Sequence, residues 1–335
     1  MPSHGPGHES ERERSISKSI FITGAFGFLG RHLAKAFAAA GWDVVGLGHC
    51  AIPAEEARRW GIARAVTGDV TADLLRAAAE RAGPPEAIFH AAGAASVGES
   101  WADPERDHAR TVTSTEEVIK ATIGFAGPPP ILYPSSAAVY GDSHAAPIPE
   151  DTPLEPISPY GRNKVSAENL LRAANREHGI GCGIIRYFSL FGEGLRKQIL
   201  WDISRRALAG EAPLTLSGTG HELRDFMYAE DAARLALHVL DGVGRDCLIV
   251  NGGSGGATSV KELAGTLLSA LSIDAQVVFT GAVRKGDPFA LVADVSRLEA
   301  LGFAPVWDLE KALDDYARWI LGELGTSESG SLERA

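Results

Sequence analysis

Three cysteines among 335 residues are few. Cys50, Cys182 and Cys247 stand far apart with no metal-type spacing, and an odd, sparse set fits a reducing compartment. Cys182 and Cys247 lie in apolar runs and read as core residues. The ten histidines form no H-E-x-x-H or similar cluster, so no metal site is predicted. No run of about 18 apolar residues occurs, which argues against a membrane span. Residues 1–17 are polar and lack the apolar stretch of a secretory signal. They read as a disordered tail, as do residues 326–335. Together these absences predict a cytoplasmic protein. Positive charge is also short. The 32 basic residues face 43 acidic ones, a formal net charge of −11, which disfavours general nucleic-acid binding. An anionic small substrate stays open if its counter-charges are few and local.

What is present is ordinary globular material, 45% hydrophobic and 22% charged. The length suits a large domain with a smaller lobe, or two domains. Short apolar runs at 19–23, 43–47, 63–66, 86–91 and 130–135 are separated by helical stretches. That alternation predicts an α/β fold with a parallel sheet and right-handed crossovers. A helix over 159–178 precedes a strand at 183–188, and then the alternation loosens. Helices at 196–210, 230–241, 259–271 and 309–324 surround a short strand at 214–217, with Thr258 or Ser259 as a helix cap.

Thr23-Gly24-Ala25-Phe26-Gly27-Phe28-Leu29-Gly30 sets glycines three apart between the first strand and the first helix. Glycine allows a tight turn and lets a pyrophosphate approach the backbone, while the helix N-terminus faces the negative charge. The bland alternative is a closely packed strand-to-helix turn. The reading is a Rossmann-type, doubly wound parallel sheet over 18–190, with 225–251 returning to it. Residues 191–224 and 252–325 then form a smaller substrate-binding lobe over the carboxyl edge.

The second strand ends Gly46-Leu47-Gly48-His49-Cys50, without the acid that grips the 2′-hydroxyl of NAD and repels a 2′-phosphate. The cofactor is therefore NAD or NADP, with a lean to NADP. His49, Arg58 or Arg59 are candidates to face that phosphate, and the two arginines read equally well as solvated helix residues. Asp69-Val70 reads as an adenine contact or as a turn acid. Ser135 or Ser136, at the end of another strand, is placed to steer a substrate hydroxyl proton. Tyr160 and Lys164 are four apart in a helical stretch and share one face. An ammonium beside a phenol favours the phenolate, lowering the tyrosine from about 10 toward the working pH.

These motifs, with His90–Gly93 (HAAG), Arg186–Gly192 (RYFSLFG) and Arg224–Asp231 (RDFMYAED), make the chain resemble the extended short-chain dehydrogenase/reductases. Within that superfamily it is similar to the NAD-dependent epimerase/dehydratase family that modifies nucleotide sugars, from about Ser19 to Leu324. The resemblance implies Ser136, Tyr160 and Lys164 as the catalytic set. It implies a cofactor bed of the 24–30 turn, Ala91, Ala92, Gly93, Tyr160, Lys164 and Tyr187. It implies Ser136, Ser189, Arg224 and Arg284 toward a nucleotide-diphosphate sugar, with Arg196, Lys197 and Gln198 as helpers or solvated residues. A homodimer through two long helices, one of them 159–178, also follows from it.

Members that eliminate water carry an acid pair right after the catalytic Ser/Thr. Here those positions are Ala137 and Ala138, so 4,6-dehydration is not expected. Thr111 and Ser189 stand where the family often has Asn, which bears on substrate identity. The function expected is hydride transfer at carbon 4 of the hexose, as a 4-epimerase or a 4-keto reductase. The alternative of another class is an inactive nucleotide-sugar or NAD(P)-binding protein on the same fold.

Overall fold

The computed structural model describes residues 18–142, 146–282 and 288–332. Its first half alternates β1 (Ser19–Thr23), α1 (Phe28–Ala39), β2 (Asp43–Gly48), α2 (Ala54–Arg59), β3 (Arg64–Thr67), α3 (Ala72–Ala82) and β4 (Ala87–His90). Then come α4 (Val97–Ala102), α5 (Pro104–His108), a π-helical turn (Ala109–Thr113) and α6 (Ser114–Ile123). β5 (Ile131–Ser136) runs into a 3₁₀ turn (Ala137–Val139), and α7 (Pro159–His178) leads to β6 (Cys182–Tyr187).

The second half holds β7 (Ser189–Phe191), α8 (Gln198–Leu208), β8 (Leu214–Leu216), β9 (Leu223–Arg224), β10 (Phe226–Tyr228), α9 (Ala229–Gly242) and β11 (Leu248–Gly252). β12 (Thr258–Ser259), α10 (Val260–Ala270), β13 (Val277–Phe279), β14 (Ala290–Leu291), α11 (Ser296–Ala300) and α12 (Leu309–Leu332) complete it.

Seven strands form one parallel sheet in the order β11-β6-β5-β4-β1-β2-β3. Both faces of its inner strands are covered, so β1, β4 and β6 are buried throughout. Successive side chains point to opposite faces. Ile20 and Ile22 join a core under α1 and α9, while Phe21 joins another under α3, α6 and α7. The lobe has its own core, where Leu200 and Ile203 of α8, Leu263 and Leu267 of α10, and Leu313 and Ile320 of α12 meet. Ser259 caps α10 through a reciprocal pair with Glu262.

Two expectations need correction. Cys182 and Cys247 are joined by a disulfide. β11 pairs with β6 so that Leu248 faces Gly183. One step earlier the two cysteines lie side by side, with Cα atoms 4.8 Å apart. A separation of 65 residues concealed this, and the cysteine argument for a reducing compartment falls with it. Cys50 is free and exposed. At the other end α12 continues to Leu332, past the boundary drawn at 325. Among the described residues no helix is long and apolar enough to cross a membrane.

Candidate active site

From β1 the chain winds outward to β2 and β3 on one side and to β4, β5 and β6 on the other. The order reverses between β1 and β4, and ligands of open α/β sheets bind in the crevice at that carboxyl edge. Gly24 takes a φ of 70°, and a β-carbon on it would lie 2.6 Å from the Ala92 nitrogen and 2.7 Å from the Ala91 carbonyl carbon. The turn and the Ala91–Ala92 backbone thus touch, which brings two of the expected cofactor segments together. α1 begins at Phe28 with Gly27 as a cap that offers no side-chain bond. Its first N–H groups remain available to an anion. This cradle fits a dinucleotide pyrophosphate.

Beneath it runs a directed hydrogen-bond chain. Ala92 N–H donates to Thr23 Oγ1 at 3.2 Å, and Thr23 Oγ1 lies 2.7 Å from His90 Nδ1. Ser114 Oγ lies 3.2 Å from His90 Nε2 and donates to the Arg110 carbonyl at 2.5 Å. One proton per hydroxyl therefore assigns the Nε2–H tautomer. Burial first, and the field of Lys164 second, pull His90 down to about 3, so it is neutral.

Ser136 ends β5, half-buried, and its Oγ accepts the Ala138 N–H at 3.2 Å. It also acts on Tyr160, whose hydroxyl it pulls down. Gly161 permits this approach: a β-carbon there would lie 2.5 Å from the Ala138 carbonyl oxygen. Ser158 caps α7 through the Gly161 N–H at 3.0 Å, and Tyr160 N–H donates to Ser100 Oγ of α4 at 3.1 Å. Lys164 is buried on the same helix. Its Nζ donates to the Pro134 carbonyl at 2.8 Å and lies 4.7 Å from the Tyr133 ring centre and 5.6 Å from that of Tyr160.

The expected tuning runs the other way in this chain. Burial pushes Tyr160 up to about 12, Ser136 pulls it down, and Asp107 raises it further. Burial also pulls Lys164 down to about 8, with Asp107 and Glu168 opposing. The ammonium sits beneath the aromatic rings, and desolvation outweighs it.

Ser135 is structural. Its Oγ donates to Glu168 Oε1 at 2.5 Å, and Arg186 grips the same carboxylate through Nε at 3.0 Å and Nη2 at 2.8 Å. That pair is only 3% and 1% exposed and ties α7 to β5 and β6 under the site. The side chain of Tyr187 belongs to the core, and its hydroxyl donates to the Ala232 carbonyl of α9 at 2.8 Å. Strand alternation turns Arg186 toward α7 and Tyr187 toward α9.

On the lobe side, Ser189 and Arg224 come close. Ser189 N–H donates to the Asp225 carbonyl at 2.9 Å, and Phe226 pairs with Ser189. Arg224 Nη1 donates to the carbonyl of Leu223 at 2.8 Å and lies 3.4 Å from that of Phe289. Arg284 lies outside the described residues. Arg196 is held by Glu323 and stacks on Trp319, so it serves the lobe's packing. Lys197 Nζ reaches the Ala95 carbonyl at 3.2 Å, and Gln198 opens α8 with a φ of 68°.

At the far edge His49 and Asp69 are exposed and Val70 is half-buried against the core. Arg59 is ion-paired with Glu193. Thr111 is buried in the π-helical turn, and its Oγ1 accepts the Ala94 N–H at 3.3 Å. A β-carbon on Gly93 would lie 3.9 Å from that oxygen and 4.0 Å from Lys164 Nζ.

Reading the sequence missed Asp107 and Asn163, buried and joined at 2.7 Å. No spacing links residues 56 apart. The polar residues within the helical stretch 107–115 were the available signal. Among the described residues no group of His, Cys, Asp and Glu gathers as a metal site.

The model of the NAD dependent epimerase/dehydratase family matches residues 20–249. A UDP-glucose 4-epimerase of Azospirillum brasilense is 31% identical over 317 residues, covering 88% of this chain and 90% of that protein. The crystal structure of UDP-glucose 4-epimerase from Thermotoga maritima with UDP-glucose superposes with a TM-score of 0.83 at 25% identity, covering 91% and 99% of the two chains. MoeE5 in complex with UDP-glucose and NAD gives 0.80 at 27% identity, with the same coverage. With its glycine turn, serine–tyrosine pair and buried lysine on one sheet edge, the chain belongs to the NAD dependent epimerase/dehydratase family.

Proposed function

We propose that this chain is a UDP-sugar 4-epimerase that holds NAD and inverts the configuration at carbon 4 of the hexose. The observation that carries the reading is Ser136 acting on Tyr160 with Lys164 Nζ 5.6 Å from the Tyr160 ring, at the edge where Gly24 meets Ala91–Ala92. The similarity to UDP-glucose 4-epimerases supports the substrate class.

Ser136 Oγ orients the 4-hydroxyl. Tyr160 Oη takes its proton on oxidation and returns it on reduction. Lys164 supplies the adjacent positive charge, and the Gly24 turn and α1 N-terminus hold the pyrophosphate. When bound, the nicotinamide accepts and gives back a hydride and, oxidised, carries a positive charge of its own. In the chain alone Tyr160 rests protonated at neutral pH, since burial holds it near 12; it takes the substrate proton only after losing its own to solvent, a loss that the charges of Lys164 and of an oxidised nicotinamide would favour. Ser189 and Arg224 bracket the nucleotide diphosphate from the lobe. Ala137 and Ala138 supply no acid or base for water elimination.

Tyr160→Phe tests the reading. It removes the proton carrier and leaves the cradle intact, so turnover falls by at least about 10²-fold while NAD binding by titration calorimetry stays unchanged. Undiminished turnover would sink the mechanism. A 4-keto reductase shares these groups; NAD co-purifying with the protein favours the epimerase, and an empty site preferring NADPH favours the reductase.

The lean to NADP weakens at one point, because Arg59 is held by Glu193. The missing acid has a steric cause: a β-carbon on Gly48 would lie 2.4 Å from the ring of Phe26. We therefore propose NAD as the cofactor, with weak discrimination against a 2′-phosphate. A homodimer through α7 would meet an exposed row of Arg162, Ser166, Asn169, Arg172 and Arg176. Sedimentation at low and high salt tests it, since repulsion between arginines is screened by salt.

A further inference from the structure

Beside Tyr160 and Lys164 lies a carboxylate with no part in the chemistry above. Asp107, on α5, is 4% exposed. Its Oδ1 accepts the Nδ2–H of Asn163 at 2.7 Å, and Asn163 is the residue before Lys164 on α7. Its Oδ2 is buried with no hydrogen-bond partner among the described residues. A buried carboxylate so thinly bonded is costly unless a cation offsets it.

Lys164 has the complementary problem. Its ammonium is buried among neutral groups: the Pro134 carbonyl and the rings of Tyr133 and Tyr160. Two carboxylates act on it, Asp107 and Glu168. Glu168 is already gripped by the two-pronged guanidinium of Arg186 and by Ser135. That leaves Asp107 as the acceptor charge with no strong cation bonded to it. The other groups in its field are Tyr133 on β5 and Tyr160 on α7. The charged side chains Glu99 on α4, Arg110 on the π-helical turn and Arg162 on α7 are exposed.

We propose that Asp107 is the counter-charge of Lys164, a positioning residue that keeps the buried ammonium protonated and, through Asn163, fixes it beneath Tyr160. The directions agree. Asp107 raises Lys164 against the effect of burial, and it also raises Tyr160. The proposal rests on the catalytic reading of Tyr160 and Lys164 but is tested apart from it.

The experiment uses the full chain labelled with ¹³Cε-lysine, with the Lys164 signal assigned by its loss in Lys164→Met. Wild type should titrate near 8. In Asp107→Asn the midpoint should fall by about one pH unit or more, the scale of a nearby buried charge. Asp107→Glu, which keeps the charge, should restore most of it. The alkaline limb of turnover should move to lower pH with the NMR midpoint. A midpoint unchanged in Asp107→Asn overturns the proposal. A shifted midpoint without a matching limb in turnover leaves the counter-charge standing and overturns the catalytic reading instead.

Unfolding midpoints of Asp107→Asn, Lys164→Met and the double variant give a second test. The double variant should be more stable than the two single losses summed, because it removes both charges. If Asp107→Asn does not fold, a folded double variant supports the pairing. An unfolded double variant, or strictly additive losses, overturns it.

Discussion

Gly161→Ala sets two opposing effects against each other at the point where α7 meets the turn after Ser136. Within a helix alanine is favoured over glycine by at most about 1 kcal/mol, and less in the first turn where Gly161 sits, so a purely local view expects modest stabilisation. The structure expects the reverse. The added β-carbon would lie 2.5 Å from the Ala138 carbonyl oxygen and 2.9 Å from Pro156 Cβ. Non-bonded carbon contacts prefer about 3.5 Å or more, so α7 must retreat by roughly 1 Å. The nearest obstacle is backbone and cannot rotate away.

Overpacking of this kind costs about 1–3 kcal/mol, which exceeds the propensity gain or cancels it. The effect on chemistry is larger, because the retreat draws Tyr160 off Ser136. A misplacement of about 1 Å can cost about 10²-fold in rate, or roughly 2.7 kcal/mol of activation free energy. The assays are urea unfolding and the rate of UDP-sugar interconversion at saturating substrate. A variant as stable as wild type or more so, with unchanged turnover, would refute the reasoning about this contact.

Three further outcomes follow from the same geometry. His90 is neutral in the fold at about 3 and ordinarily titrates at 6.5. Its contribution is complete above 6.5 and is lost as pH falls toward 3, at about 1.36 kcal/mol per pH unit, so roughly 2 kcal/mol is gone by pH 5. His90→Asn should flatten that part of the stability–pH curve, and parallel curves for the two proteins would contradict the assignment. Reducing the Cys182–Cys247 disulfide, which closes a separation of 65 residues, should cost about 4 kcal/mol in the chain-entropy account. The unfolding midpoint of wild type should therefore drop with reductant while that of Cys247→Ser stays put; equal responses would count against the bond. For the cofactor, NAD and NADP dissociation constants should differ by no more than about tenfold, or ~1.4 kcal/mol. A ratio above about a hundred would show that some other group excludes the 2′-phosphate.

The motifs that proved legible were local ones. Glycines at 24, 27 and 30 mark a strand-to-helix turn because conformational demand there falls on single residues. The 159–178 helix was readable from end to end, with Ser158 as its cap and Gly179 in the left-handed conformation at its close. That the sheet is parallel followed from the alternation of strands and helices. Small elements of the lobe escaped notice. β9, β12 and β14 have two residues each and exist only by pairing with one another.

The sequence alone determined that this is a doubly wound parallel sheet with a phosphate-binding turn, and that Tyr160 and Lys164 share one helix face. Those features rest on short-range pattern and backbone sterics. Tertiary structure alone decided that Ser135 is tied up with Glu168, that Tyr187 turns into the core, and that Cys182 meets Cys247. It also decided the direction of the Tyr160 and Lys164 shifts. Desolvation depends on everything packed around a group, and Asp107, 53 positions before Tyr160, enters that environment only when α5 docks on α7.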